Sequence, residues 1–498
     1  MVHVRTFSFF AATLLVSGCA VGPDFRVPEP PATKTYTSSA LPAETETAPV
    51  TAGTAQRFGP GQDIPAQWWA LFHSPALDGV IRQALADSPT LEAAQAVLRQ
   101  SQEELKARTG SALFPSIDAG GLVTRQKISG AAFGQPDTRF SPFTLYNASV
   151  NVTYTLDVFG GARRELEGLR AQVEYQRFQL EGAYLALTAN IVTTAVRDAS
   201  LRAQLQATRE IAAAQEEQLG IVERQFQVGA AARTDVLLQR SKLAQTRASF
   251  APLEKALAQN RHQLAVLAGM LPSDAARLPE FGLDAFTLPQ ELPVSLPSSL
   301  VRQRPDIRAA ESVLHAASAQ VGVATANLYP HITLTGGYGS TAETTGTLFS
   351  AGSTVWNIGA GLTQPLFHGG ELKAKRRAAV AAYDGAAASY RQTVLQAFQN
   401  VADVLRALEL DAQALKAQAD AERSARETLE TAQKQYQVGA TSHLAVLLAE
   451  GQYEEARIGL VQAEALRFAD TAALFQSLGG GWWNDIATEG TATRVSKE

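Results

Sequence analysis

The chain is written twice. Gln225-Phe226-Gln227-Val228-Gly229-Ala230, followed by Val236-Leu237-Leu238, recurs without a gap as Gln435-Tyr436-Gln437-Val438-Gly439-Ala440, followed by Val446-Leu447-Leu448. Phe114-Pro115 is matched by Tyr329-Pro330, and Ser88-Pro89-Thr90-Leu91 by Arg304-Pro305-Asp306-Ile307, at nearly the same spacing. A unit repeated at this length predicts two copies packed into one body. Whatever one half builds, the chain builds two of.

Each half contains a long stretch without proline, from Phe143 to Ala251 and from Leu366 onward, so each is free to be helical. Leu166, Leu169, Val173, Leu180, Tyr184, Leu187 and Ile191 recur at steps of three and four, the seam of a packed helix. Ala162 to Gln227 and Glu371 to Gln437 would each form a helix about 100 Å long at the usual rise. Gly229 and Gly439 end them, since glycine takes the left-handed conformation of a C-cap. The chain then returns through shorter helices, Thr234 to Leu267 and His443 to Leu478. Each half opens with a further short helix, Pro89 to Leu113 and Pro305 to Leu328.

Strands lie between the short and long helices. Tyr146, Ala148, Val150, Val152, Tyr154 and Leu156 alternate with Asn147, Ser149, Asn151, Thr153 and Thr155, a period of two long enough to cross a bilayer. Trp356, Ile358, Ala360 and Leu362 alternate in the same way with Asn357, Gly359, Gly361 and Thr363. Each is preceded by a partner strand, Pro115 to about Thr124 and Pro330 to about Ser340. Tyr146, Val150, Val152, Tyr154, Trp356, Ile358 and Leu362 are the expected lipid-facing positions. Four strands cannot close a barrel, and open edges are not tolerated in hydrocarbon. The expectation is a homotrimer with a twelve-stranded barrel, so a mainly α fold with a β-barrel membrane part.

The first residues read as a lipoprotein export signal (1–18): Arg5, an apolar stretch from Phe7 to Val16, then Val16-Ser17-Gly18-Cys19. Cys19 is the single cysteine and the expected lipidation site. Ala20 follows it rather than Asp, which in many Gram-negative bacteria favours sorting to the outer membrane. The expected organisation is an extended lipid-anchored segment (19–62), a first repeat (63–271), a linker (272–299), a second repeat (300–478) and a flexible tail (479–498). A net charge of −5 without a basic patch gives no reason to expect nucleic acid.

These residues carry a resemblance. Gly18-Cys19-Ala20-Val21-Gly22-Pro23-Asp24-Phe25, the paired Phe/Tyr-Gln-Val-Gly-Ala turns and Phe367-His368-Gly369-Gly370 after a strand are similar to those of outer membrane factors (TolC/OprM-like) of tripartite efflux systems. More narrowly, the chain resembles their NodT-type outer membrane lipoprotein branch. The resemblance implies a trimeric channel-tunnel in the outer membrane that extends into the periplasm. It also implies two partners, a periplasmic adaptor (membrane fusion) protein and an inner-membrane transporter of the resistance-nodulation-division type. It places adaptor contacts at Val228, Gly229, Ala230, Val438, Gly439 and Ala440. A periplasmic gate is implied at Asp235 and Tyr436, matched as a closing pair in which a phenol donates to a carboxylate. The chain departs from the TolC pattern of aspartates at Ala445 and Leu448, which makes any constriction more apolar, using Leu444, Leu447 or Leu448.

Enzyme chemistry finds no foothold. His73, His262, His315, His331, His368 and His443 are scattered without ligand spacing, and no nucleophile motif or phosphate loop appears, so no catalytic, cofactor or metal site is expected. The competing reading is a lipid-anchored periplasmic coiled-coil adaptor or an envelope-tethering structural protein. Such a protein would not need the four alternating strands.

Overall fold

The structure is a computed structural model and describes residues 20–484 apart from 130, 132, 133, 135, 136 and 138. The export signal, Cys19 and the tail beyond Asn484 lie outside the described residues. The chain opens with strand β1 (Arg57–Pro60) and helices α1 (Pro75–Asp87) and α2 (Pro89–Leu113). Strands β2 (Ser116–Gln126) and β3 (Phe143–Leu156), the long helix α3 (Gly161–Gln227) and the returning α4 (Arg233–Ala248) and α5 (Phe250–Leu267) complete the first half. After a linker with β4 (Glu291–Val294) and α6 (Pro297–Gln303) the order repeats as α7 (Pro305–Ala326), β5 (His331–Ala342), β6 (Thr354–Thr363), α8 (Glu371–Gln437) and α9 (His443–Ser477).

Helices α3 and α8 are each 67 residues long. The first return is not the single helix expected from Thr234 to Leu267. It breaks at Ser249, between α4 and α5. Pro252 is the cause: it has no N–H to bond the Ala248 carbonyl, and its ring crowds that group. The second return has no proline and runs unbroken from His443 to Ser477.

The chain forms two compact units, neither of which is a sequence repeat. One holds the residues up to Pro28 with Val97–Arg177 and Ala309–Arg391; the other holds Glu29–Ala96, Phe178–Arg308 and the residues from Gln392 onward. In the first, β2, β3, β5 and β6 form one antiparallel sheet in that order. The N-terminal segment is pinned beside it: Val21 N–H donates to the Phe159 carbonyl at 3.1 Å, Arg164 bonds Asp24 at 2.7 Å, and Phe25 stacks on His315 at 4.3 Å.

The second unit has an aromatic core in which Trp68 stacks on Phe475 at 5.4 Å and Phe72 packs on Phe468. Ile191, Val192 and Ala195 of α3 and Val401, Leu405 and Leu408 of α8 are buried in the same cluster. An extended strap crosses α8 and α9. Lys416 pairs with Glu46 at 2.8 Å, Gln56 donates to Thr471 at 3.0 Å and to the Pro289 carbonyl at 2.9 Å, and β1 pairs in parallel with β4. Arg467, fully buried, donates to Gln56 Oε1 at 2.8 Å and to Thr45 and the Thr54 carbonyl at 3.3 Å. The start of the expected flexible tail is held rather than loose. Trp482, Trp483 and Asn484 donate to the Gln303 carbonyl, Asp63 and the Ile64 carbonyl at 2.7, 2.9 and 2.8 Å.

Candidate functional site

Register sorts the sheet into two chemically different faces. Paired residues on antiparallel strands share a face, because side chains alternate along each strand. Ile117 pairs with Val152, Val123 with Tyr146, Val150 with Tyr338, Tyr154 with Leu334, Tyr338 with Trp356 and Ile332 with Leu362. These residues, with Ile358 opposite Gly336, make one continuous apolar face. Ile358 is 84% exposed and Trp356 72%, so none of the described side chains covers them. The opposite face carries Asn147, Asn151, Thr153, Thr333, Thr335, Thr341 and Asn357. Asn147 donates across strands to Thr341 at 3.0 Å. One face is suited to hydrocarbon and the other to water. Among the described residues, the outer strands β2 and β6 have no strand partner on their outer sides.

The other candidate region comprises the two turns that end α3 and α8. Gly229 and Gly439 have φ of +78° and +74°, where a side chain would be strained. Around each, the Ala230 and Ala440 N–H groups donate to the Gln225 and Gln435 carbonyls at 2.8 Å, and the glycine N–H to the Phe226 and Tyr436 carbonyls at 3.0 Å. This bonding satisfies the last orphan carbonyls of each helix. Both glycines are therefore caps, and both turns present bare surface: Val228 is 80% exposed and Val438 78%.

The expected bond from Tyr436 to Asp235 is not formed within the protomer. The Tyr436 hydroxyl donates to Gln225 Oε1 at 2.8 Å, a partner the sequence reading missed. Asp235 accepts from the Ala232 N–H at 3.1 Å, closing the start of α4 as an N-terminal cap. Its charge remains close enough to act: burial raises the Tyr436 phenol above its ordinary range, and the Asp235 carboxylate adds to that shift. His443 packs on Tyr436 at 5.2 Å, and burial lowers its imidazole pKa while Asp235 opposes the shift. Leu444 and Leu448, one turn apart on α9, are exposed, and Leu447 is half-buried.

Behind the tip, buried Glu450 accepts from Gln239 Nε2 at 3.5 Å, and the same nitrogen donates to the Gln215 carbonyl at 3.3 Å. Burial pushes the Glu450 carboxyl up to about 6. Nearby, Lys242 pairs with Glu454 at 2.7 Å. A charged residue one position after the buried Ala449, on the apolar seam, is the signal that could have found Glu450. Among the described residues no group of His, Cys, Asp and Glu could hold a metal ion, and no helix is long and apolar enough to cross a membrane.

A sheet with one lipid-suited and one wet face, together with two long helices that each return through a capped turn, defines an outer-membrane channel of the barrel-and-helical-tunnel class. The chain belongs to the outer membrane efflux protein family, whose model matches residues 80–270 and 296–480. It is 30% identical over 482 residues to TtgC of Pseudomonas putida, a probable efflux pump outer membrane protein, covering 96% of this chain and 95% of that one. It is 32% identical over 427 residues to the pyoverdine export outer membrane protein OpmQ of Pseudomonas aeruginosa, covering 84% and 88%. Among solved structures it is similar to the outer-membrane channel OprN, with a TM-score of 0.83 and 28% identity over 93% of this chain and all of that one. The protein is an outer membrane efflux channel that extends into the periplasm. Outer membrane efflux proteins are trimeric and work with an adaptor and an inner-membrane pump. A coiled-coil tether does not account for the two-faced sheet.

Proposed function

We propose that three copies of the chain join β2 of one protomer to β6 of the next, closing a twelve-stranded barrel around a water-filled lumen. The register carries this reading: it gathers Asn, Ser and Thr on one face and leaves both outer strands with unpaired backbone groups, which hydrocarbon does not tolerate. On this reading Tyr146, Val150, Val152, Tyr154, Trp356, Ile358 and Leu362 face lipid, and Cys19 carries acyl chains that anchor the N-terminus.

The channel is a passive exit duct for small molecules. An inner-membrane pump of the resistance-nodulation-division type supplies the energy, and a periplasmic adaptor meets the turns at Val228-Gly229-Ala230 and Val438-Gly439-Ala440. Exposed small and apolar side chains at both turns support that docking. The resting tip is held by the Tyr436–Gln225 bond, the cap at Asp235 and the leucines Leu444, Leu447 and Leu448. Planar-bilayer recording of the detergent-extracted protein tests the reading. Discrete conductance steps support it, and a protein that inserts without conducting contradicts it.

A further inference from the structure

Every strand of the sheet carries an aromatic residue at its helix-proximal end. Phe114 stands just before β2, Phe159 just after β3, Tyr329 just before β5 and Phe367 just after β6. Phe159 and Tyr329 stack at 4.8 Å, while Phe367 and its neighbour Leu366 are almost fully exposed. Aromatic residues collected at one level of a barrel form the girdle that marks the water–lipid interface, and Tyr329 adds a polar tip there. The helices extend into the periplasm, so this end lies at the periplasmic leaflet. The N-terminal segment reaches the same level: Ala20 lies against Gly160, where an added Cβ would come within 2.6 Å of it.

Directly beyond the aromatics, α8 opens with Lys373, Lys375, Arg376 and Arg377, all exposed. Lys375 pairs with Glu371 at 2.5 Å. Lys373, Arg376 and Arg377 have no ion pair among the described residues, and at i, i+3 and i+4 they share one helix face. The cations that open α3 in the first half are neutralised instead: Arg163 by Asp157 at 3.2 Å, and Arg164 by Asp24 and Glu167 at 2.7 Å. The second half thus presents three uncompensated cations beside an exposed apolar pair at the membrane boundary.

We propose that Lys373, Arg376 and Arg377 form a docking surface for the phosphate headgroups of anionic phospholipids in the periplasmic leaflet of the outer membrane. Charge complementarity and continuity with the lipid-facing sheet single out this occupant. The proposal rests on the closed-barrel reading.

The test is native mass spectrometry of the full-length protein extracted from outer membranes and mixed with equal phosphatidylglycerol and phosphatidylcholine. Wild type should retain phosphatidylglycerol preferentially, and the preference should weaken as ionic strength rises. Lys373→Gln with Arg376→Gln and Arg377→Gln should reduce it by roughly fivefold per cation removed. Equal retention of the two lipids by wild type overturns the proposal, as does a preference indifferent to salt or unchanged in the variant. A variant with altered pore ion selectivity and intact lipid preference would place the cations in the lumen. A variant that falls from trimer to monomer would place them against a neighbouring protomer, and either result overturns the proposal. The mass reports oligomeric state separately, so a monomeric wild type sinks the barrel reading rather than this one.

Discussion

The Tyr436 hydroxyl donates to Gln225 Oε1 across 2.8 Å, tying the last turn of α8 to the last turn of α3. The two residues belong to the two copies of one repeated motif, and the counterpart of Tyr436 in the first copy is Phe226, which has no hydroxyl to offer. The bond therefore exists on one side of the repeat only, and it joins the ends of the two hairpins.

Removing that hydroxyl is the mildest way to test the tip. Tyr436→Phe keeps the ring that packs on His443 and deletes one partly buried hydrogen bond, a loss of about 1 kcal/mol. The resting open probability in bilayers should rise about fivefold. Asp235→Ala removes the cap of α4 and should also raise resting conductance, with faster hydrogen exchange confined to the start of α4. Unchanged conductance in both variants would show that neither contact holds the tip.

Acidity should act on the helices behind the tip through Glu450. Its folded pKa is raised to about 6 by burial, so its stabilising contribution is complete below the ordinary value near 4.5 and is lost as pH rises through about 6. The loss amounts to about 2 kcal/mol. His443 works in the opposite sense: its pKa is depressed, so its contribution is present above its ordinary value of 6.5 and lost as pH falls. Glu450→Gln should abolish the loss on alkalinisation and leave the His443 slope alone. Hydrogen exchange of α4 and the start of α9 between pH 4.5 and 7, corrected for intrinsic rates, reads this directly.

The two faces of the sheet make opposite predictions at adjacent positions. Ile358→Arg places a cation against hydrocarbon and should cost about 2–4 kcal/mol near the bilayer midplane, reducing assembled protein in outer membranes. Asn357→Arg, on the wet face, should assemble normally and shift ion selectivity. Equal assembly of both variants would contradict the facing.

Arg467 should act as the clasp of the N-terminal strap. It is fully buried, burial brings its pKa down to about 10, and its bonds reach Thr45, Thr54 and Gln56. Arg467→Met leaves those acceptors without their charged donor, a change of about 1.5–3 kcal/mol for hydrogen bonds to a charged group. Trypsin should then cut after Arg57 far faster than in wild type, and Gln56→Ala should show the same effect in weaker form. Equal protection in all three proteins would contradict the clasp.

The parts of this architecture that could be read from the chain were those governed by local periodicity. Long proline-free stretches leave room for α3 and α8, Gly229 and Gly439 mark where they end, and strict alternation from Tyr146 to Leu156 sorts the faces of β3. The break at Ser249 was missed although Pro252 announces it, because the apolar spacing continues past it. The strap was harder to see, since extended segments such as Thr45 to Gln56 have no period and are fixed by partners hundreds of residues away. The Tyr436–Gln225 bond is hidden for the same reason. The repeated Gln-Phe/Tyr-Gln motif marks both positions, yet only the packed helices bring them within reach.

If three protomers close the channel, the native mass of the lipidated, detergent-extracted protein shows it most directly. Light scattering with detergent correction should return three protomers, with every strand edge paired. A stable monomer would leave β2 and β6 open and contradict the barrel.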